Sequence, residues 1–367
     1  MLRALCFVEK MDAGGAETFL MKIYRKFDRQ KYQFDFCVFT SEPGFYDQEI
    51  LSLGGKIFVC PSLWKSPIAS MKAVYKVASK GKYTVAFQME DTSFLVLKLL
   101  AARMAGVKRC VLRSTNSNVP SRKAFFIHKF FSFLPRFVAN VKIAPSENSA
   151  IYMFGRSSYV KGEVLLLNNG LDLSKFVFRQ DCRVGKRCEL GIENALLIGH
   201  IGRFEKQKNH DFLLRLFAYI QKKRKDVYLI CVGDGSLLAD MKALTNELDI
   251  ADRVIFAGLR QDIPELMMAM DALLFPSLYE GMPNVVIEAE TTGLPCLISD
   301  TITPACAVTP YVAFESLSST YDVWAQKLLS LAELNIDRKS CIDFMREKGY
   351  DLGSVVKAFE KAVFPEA

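Results

Sequence analysis

Three segments in the second half of the 367-residue chain carry residue types suited to phosphate and sugar chemistry. The first is Gly202-Arg203-Phe204-Glu205-Lys206-Gln207-Lys208-Asn209. Gly202 lets the backbone approach a ligand closely. Arg203 and Lys208 then offer a planar fork and a point charge from one loop, which matches a diphosphate. The second segment runs from Pro276-Ser277 through Glu280-Gly281-Met282-Pro283-Asn284 to Glu288-Ala289. Gly281 and Pro283 shape a turn, and a helix begins near Asn284, whose first N–H groups form an anion site that needs no side chain. Glu280 precedes that start and Glu288 lies about one turn inside. Carboxylates beside an anion site repel it unless they bind hydroxyls, as the sugar and ribose of a nucleotide-sugar would present. Such a pair alone commonly lies on a solvated helix; the Glu-Gly-x-Pro-Asn and Glu-Ala context makes it specific.

The third segment, Val232-Gly233-Asp234-Gly235, is by itself a weak signal that a tight turn also explains. Leu259 and Arg260, after the apolar run Val254–Phe256, are candidates for lining a base pocket. In the first half, Ala13-Gly14-Gly15-Ala16-Glu17 follows an apolar run and opens a helix, a phosphate cradle in form. It lacks the full G-x-G-x-x-G spacing, which counts against a dinucleotide-dependent dehydrogenase. Glu90 and Asp91, after another strand-like run, are candidates for acceptor contact, with a solvated loop as the competing explanation.

These residues need elements to hold them. Strand-like runs at Leu2–Val8, Phe34–Phe39, Lys56–Val59, Thr84–Met89, Cys110–Leu112, Lys142–Ala144 and Val164–Leu167 alternate with helical stretches such as Ala16–Lys26. Ser146 is a plausible N-cap for Glu147–Phe154. Phe176–Glu193 breaks the rhythm and reads as a connection. A second alternation follows, with strands at Leu196–Ile201, Val227–Val232, Val254–Phe256, Ala272–Phe275 and Pro295–Ile298, then a helical region from about Tyr321. The pattern predicts two parallel-sheet α/β domains, 1–180 and 181–367, with loops meeting across a cleft at the carboxyl ends of the strands.

Composition narrows the class. The chain is 50% hydrophobic and 24% charged, which excludes a disordered or collagen-like protein. Charges at Lys98, Arg103 and Lys129 interrupt the best candidates for a membrane span, and no secretory leader is visible. The ten cysteines include no C-x-x-C and read as reduced thiols in apolar runs. The net charge of +8 is local. Residues 92–146 contain ten Lys and Arg and no Asp or Glu, leaving 38 basic against 40 acidic elsewhere. A local basic surface implies a local anionic partner. Within it, Phe126, Phe130, Phe133 and Phe137 stack on one helix face with Arg122, Lys129 and Arg136 on its flank. That pattern over 121–140 suits an anionic membrane surface; a core helix with a basic flank is the alternative. Nucleic acid is disfavoured, because the segment has no Tyr, Trp or recognisable nucleic-acid motif.

With these motifs together, the chain resembles the family-4 glycosyltransferases of the two-domain GT-B fold, and more closely those of bacterial capsule and exopolysaccharide synthesis. The resemblance rests on Gly14-Gly15-Ala16-Glu17, Asn169-Gly170-Leu171-Asp172, Gly202-Arg203 through Lys208-Asn209, Glu280 with Glu288, and Val323-Trp324-Ala325. It implies that Arg203 and Lys208 hold the donor diphosphate, that Glu280 addresses the donor sugar and that Glu288 addresses the ribose. It implies too that the backbone at Asn284 and Val285 meets phosphate or sugar, that the Gly14-Gly15 loop closes over the leaving phosphate, and that configuration is retained. Gly202 and Gly233 join the donor-binding set. The expected reaction moves a hexose from a nucleotide-diphosphate sugar, a UDP-sugar ahead of a GDP-sugar, to a lipid-linked saccharide at the inner membrane face. No resident cofactor and no metal are expected, since the chain has no Asp-x-Asp. Where many relatives carry His-x-His-Asn, this chain has Arg113-Ser114-Thr115-Asn116, so Arg113 or Thr115 stands in as hydrogen-bond donor. His200 and His210 read as structural. A non-catalytic nucleotide-sugar sensor or scaffold, and a nucleotide-sugar epimerase of the same fold, are the competing functions.

Overall fold

A computed structural model describes residues 1–12, 14–115 and 122–364. Ala13 and Asn116, named above, the first residue of the 121–140 stretch and the side chain of Arg122 lie outside what is described. The first sheet contains β1 (Leu2–Val8), β2 (Tyr32–Val38), β3 (Ile57–Val59), β4 (Val85–Glu90), β5 (Arg109–Ser114), β6 (Val141–Ala144) and β7 (Val164–Leu166), ordered β3-β2-β1-β4-β5-β6-β7. The second contains β8 (Leu196–Ile201), β9 (Val227–Val232), β10 (Val254–Gly258), β11 (Ala272–Phe275), β12 (Cys296–Ser299) and β13 (Val312–Glu315), ordered β10-β9-β8-β11-β12-β13. Among the described residues every pairing is parallel.

Continuous apolar strands make this possible, because a parallel sheet must be covered on both faces. In β1 the side-chain alternation sends Ala4 and Cys6 into one core and Leu5 and Phe7 into the other. The helix Gly15–Lys26 covers the first face through Phe19, Leu20 and Ile23. The helices Pro67–Gly81 and Leu97–Met104 cover the second through Val74, Leu99 and Ala102. Ser146 does cap the helix Glu147–Phe154, its hydroxyl accepting from the Ser149 N–H. Eight of the ten cysteines are buried; Cys182 is half-buried and Cys188 exposed.

Two features depart from the sequence reading. Phe176–Glu193, read as a connection, holds a helix instead: Gln180–Glu189 is fastened to the second unit by Arg183 and Arg187, which both pair with Asp271. Its charged, Gly-containing sequence hid it, since those cations bond carbonyls and a carboxylate rather than pack apolar groups. Second, the compact units are not 1–180 and 181–367. One comprises Met1–Gly170 and the segment from Gly349 onward; the other is Leu171–Lys348. The returning helix Leu352–Val363 buries Val355, Val356 and Phe359 in the first unit. The Phe359 ring meets those of Phe19, Phe27, Phe34 and Phe87 at 5.2–6.4 Å.

Candidate functional site

In the second sheet β8 and β11 are neighbours although two strands intervene in sequence. This is a topological switch point, where loops on opposite sides diverge and leave a crevice. Gly202–Asn209 leaves β8 there, and Pro276–Pro283 leaves β11. The loops are tied together. The Leu278 N–H donates to the Gln207 carbonyl at 2.8 Å, the Gln207 side-chain amide to the Tyr279 carbonyl at 2.9 Å, and that of Asn209 to the Pro276 carbonyl at 3.1 Å. Lys208 Nζ lies 2.5 Å from Glu280 Oε1, both side chains largely buried, and 4.6 Å from the centre of the Phe275 ring. Arg203 is exposed on the same loop.

Val232–Gly235 forms a third loop against the first. Phe204 N–H donates to the Asp234 carbonyl at 2.9 Å, and Glu205 accepts from Ser236. A Cβ at Gly233, where φ is +141°, would sit 2.1 Å from the Gly202 carbonyl oxygen. One at Gly235 would sit 2.6 Å from the Phe204 carbonyl oxygen. Backbone approach therefore accounts for both glycines. Gly233 N–H also donates to Gly258 O, which brings Leu259 beside this loop with its side chain exposed. Arg260 is engaged by Asp262 at 2.6 Å and by Glu189.

The helix Asn284–Thr291 starts at Pro283, whose carbonyl accepts from Val286 and Ile287. Asn284 and Val285 therefore occupy its first turn, with Glu288 half-buried one turn on. Sequence reasoning missed Glu290. Its Oε2 accepts from the Val308 and Thr309 N–H groups and the Thr309 hydroxyl, and burial raises its carboxyl to about 7. It anchors the stretch after β12 to this helix. Also missed was a ring column under the site. Phe204 stacks on His210 at 4.1 Å, His210 meets His200 edge-on at 4.7 Å, and His200 stacks on Phe275 at 5.7 Å. Burial pushes His200 well below its ordinary value and His210 to about 4, where nearby Lys208 adds to the effect. Both histidines are interior groups.

In the first unit, β1 and β4 are likewise adjacent across two intervening strands. Glu90 ends β4, and its carboxylate is held by buried Lys98 at 3.3 Å and the Gln88 amide at 3.0 Å. Burial raises the Glu90 pKa, with Lys98 opposing. Glu90, Asp91 and Thr115 line one cavity of about 310 Å³. A larger one, about 530 Å³, opens elsewhere, beside Arg183, Arg187 and Asp271. Arg113 is not available as a donor to a sugar. It is 2% exposed, stacks at 4.0 Å over Phe19, and gives its guanidinium to the Leu167 carbonyl and Asn169 side chain. Burial lowers it to about 9. Gly14 precedes the helix Gly15–Lys26, and the Glu17 carboxylate folds back over it: a Cβ at Gly14 would meet Glu17 Oε2 at 2.3 Å.

The model for "Glycosyl transferases group 1" matches residues 186–348. The chain is 36% identical over 362 residues to the putative glycosyltransferase EpsF of Bacillus subtilis, covering 95% of this chain and 93% of that protein. The chain belongs to the group 1 glycosyltransferases. It is also 28% identical to the UDP-Gal:alpha-D-GlcNAc-diphosphoundecaprenol alpha-1,3-galactosyltransferase of Escherichia coli, covering 90% of this chain and 88% of that one. The solved structure of Anabaena HepE in complex with UDP matches it with a TM-score of 0.75 at 19% identity, covering 98% and 99% of the two chains. This protein is thus a glycosyltransferase with the GT-B fold, built from two Rossmann-like α/β units.

The Phe-rich segment of this glycosyltransferase is two helices, Arg122–Phe131 and Leu134–Val138, because Pro135 in the first turn of the second cannot continue the first. Phe126, Phe130, Phe133 and Phe137 are nonetheless all exposed, three of them by about 70%. The surrounding charge is smaller than the sequence count implies. Lys98 and Arg113 are buried, Lys142 pairs with Glu163, and Arg109 donates to the Ala362 carbonyl. Arg136, though exposed, donates to the Phe154 carbonyl. Lys123 and Lys129 are exposed beside the phenylalanines. Among the described residues, no helix is long and apolar enough to cross a membrane.

Proposed function

We propose that this glycosyltransferase moves a hexose from a UDP-hexose to a lipid-linked saccharide, with retention at the anomeric carbon, in the synthesis of a capsular or related surface polysaccharide. The observation that carries the reading is the Lys208–Glu280 pair, one partner from each switch-point loop, beside the start of the helix Asn284–Thr291. An ammonium for phosphate and a carboxylate for sugar hydroxyls stand together there, and Arg203 adds a second cation. As the bond to the anomeric carbon breaks, negative charge grows on the departing diphosphate. Arg203, Lys208 and the N–H groups at Asn284 and Val285 are preorganised for that charge and act most strongly in the transition state. Glu288 takes the ribose hydroxyls, and the departing phosphate itself accepts the acceptor's proton. The cations neutralise the departing diphosphate directly. Gly233 and Leu259 border the nucleotide, while Arg260 acts through Asp262. UDP in the HepE structure and the UDP-galactose donor in the name of the Escherichia coli relative support a uridine donor.

The enzyme sits at the cytoplasmic face of the membrane, with Phe126, Phe130 and Phe137 in the lipid interface and Lys123 and Lys129 among anionic headgroups. Thermal-shift titration with UDP, GDP and their hexoses tests the donor, because a ligand of the folded state raises the melting temperature. UDP and a UDP-hexose stabilise the protein and GDP does not. Binding of UDP-hexose without hydrolysis or transfer, in the presence of membrane extract, would identify a sensor instead.

A further inference from the structure

We infer that the cavity at the β1/β4 switch point seats the sugar of the acceptor, and that this sugar is a pyranose without carboxylate or phosphate. The inference rests on the glycosyl-transfer reading above and adds the charge class of its acceptor. The cavity is lined by Trp64, Glu9, Glu17, Glu90, Asp91 and Thr115, together with apolar side chains. Trp64 is half exposed, its ring propped at 4.9 Å against that of Phe94. A propped, wetted indole on a cavity wall is a flat apolar surface for the C–H face of a pyranose, while carboxylates and a hydroxyl around it accept and donate to ring hydroxyls. Among the described residues, four carboxylates line the space and no Lys or Arg does. The ammonium that reaches them, among the described residues, is that of Lys98, which is fully buried, hydrogen-bonded to Glu90 at 3.3 Å and ion-paired with Glu9 at 3.7 Å. A uronate or sugar phosphate would enter against a surplus of like charge, a cost that separates substrates more sharply than a missing contact. The same wall continues outward: Phe94 meets Phe131 at 5.3 Å, and Phe131 meets exposed Phe130 at 5.0 Å. An uncharged sugar at Trp64 thus has an aromatic path toward Lys123 and Lys129, where an anionic lipid diphosphate is welcome.

Fluorescence offers a direct test. Of the two tryptophans, Trp324 is fully buried in the other unit, so a change on adding a simple saccharide reports Trp64. Methyl glucoside or methyl N-acetylglucosaminide alters the emission, and methyl glucuronide does not; Trp64→Phe abolishes the change. In transfer assays with short-chain polyprenyl-diphosphate glycosides, Trp64→Ala raises the acceptor KM by roughly 10-fold with kcat and donor KM nearly unchanged. Trp64→Phe restores most of that loss, and Asp91→Asn narrows the gap between glucosyl and glucuronosyl acceptors. Equal response to, or equal use of, the glucuronide overturns the inference, as does indifference to all three glycosides. Donor hydrolysis measured alongside keeps the readings apart: its presence leaves the transferase reading intact when the acceptor inference fails, and loss of UDP-hexose binding removes both.

Discussion

The side chain of Lys208 lies across Gly202. A Cβ placed at Gly202 would stand 3.1 Å from the lysine Cγ, Cδ and Cε, closer than ordinary contact. The glycine therefore gives the lysine stem its path from one loop to Glu280 on the other. Gly202→Ala is expected to push the stem aside and loosen the pair, lowering kcat/KM for the donor by roughly 10-fold. Gly202 has no left-handed φ, so the melting temperature should hardly move. Steady-state kinetics beside a melting curve tests the two halves together, and unaltered kinetics would show that the lysine path is incidental.

Arg203→Ala removes a cation from the growing charge on the leaving group, and Glu280→Gln leaves Lys208 without its counter-charge. Each should cost about 1.5–3 kcal/mol of transition-state stabilisation, the scale of a hydrogen bond to a charged group. Single-turnover rates with saturating UDP-hexose measure this. Undiminished turnover in Arg203→Ala would rule out its place at the diphosphate.

The ring column gives a pH signature. His210 titrates near 4 when folded against an ordinary 6.5, so the unfolded chain takes up its proton first. Stability from this group is whole above pH 6.5 and is lost as pH falls toward 4, by on the order of 3 kcal/mol. Glu290, raised to about 7, works in the opposite sense, so the comparison must be with a variant that keeps it. The stability of His210→Phe minus that of wild type should grow as pH drops from 6.5 to 4. Parallel pH curves for the two proteins in urea unfolding would contradict the assignment.

Exposed Phe130 and Phe137 contribute little to the core, so Phe130→Glu with Phe137→Glu should leave the melting temperature within a degree or two, a margin of about 0.5 kcal/mol. Flotation with anionic vesicles should fall at least roughly 10-fold, since two large apolar groups are lost and two like charges gained. Retained flotation would exclude this face as the lipid contact.

Phe359→Ala empties a site bounded by four other phenylalanine rings. A loss of about 3–5 kcal/mol is expected for the first unit. Stabilisation of the second unit by UDP should persist, which a two-step melting profile with and without nucleotide resolves.

The strands and the two loops that meet at the β8/β11 switch point were legible because their signals are local. Apolar runs of parallel strands, Gly202 after β8 and Glu280 before a helix start can be read within a few residues of each other. What escaped depended on partners far along the chain. Arg113 looked like a donor to a sugar until Phe19 and Asn169 took it up. His200 and His210 were rightly taken as interior groups, yet nothing local announced the stack with Phe204 and Phe275. Gln180–Glu189 read as a connection because Asp271, which fastens it as a helix, lies 84 and 88 residues beyond Arg187 and Arg183. Trp64 offered no motif; only the cavity around it gives it meaning.

Because Leu352–Val363 completes the core begun by Gly15–Lys26, the two stretches that must meet are made with the whole of the other unit between them. The intervening unit, Leu171–Lys348, contains everything its own core needs and can mature while the earlier sheet still waits for its last covering layer. During synthesis Phe27, Phe34 and Phe87 stay uncovered for that interval, open to chaperones or to stray association. Emergence of Leu352–Val363, rather than of the first strands, therefore sets the moment at which the first unit's core can close.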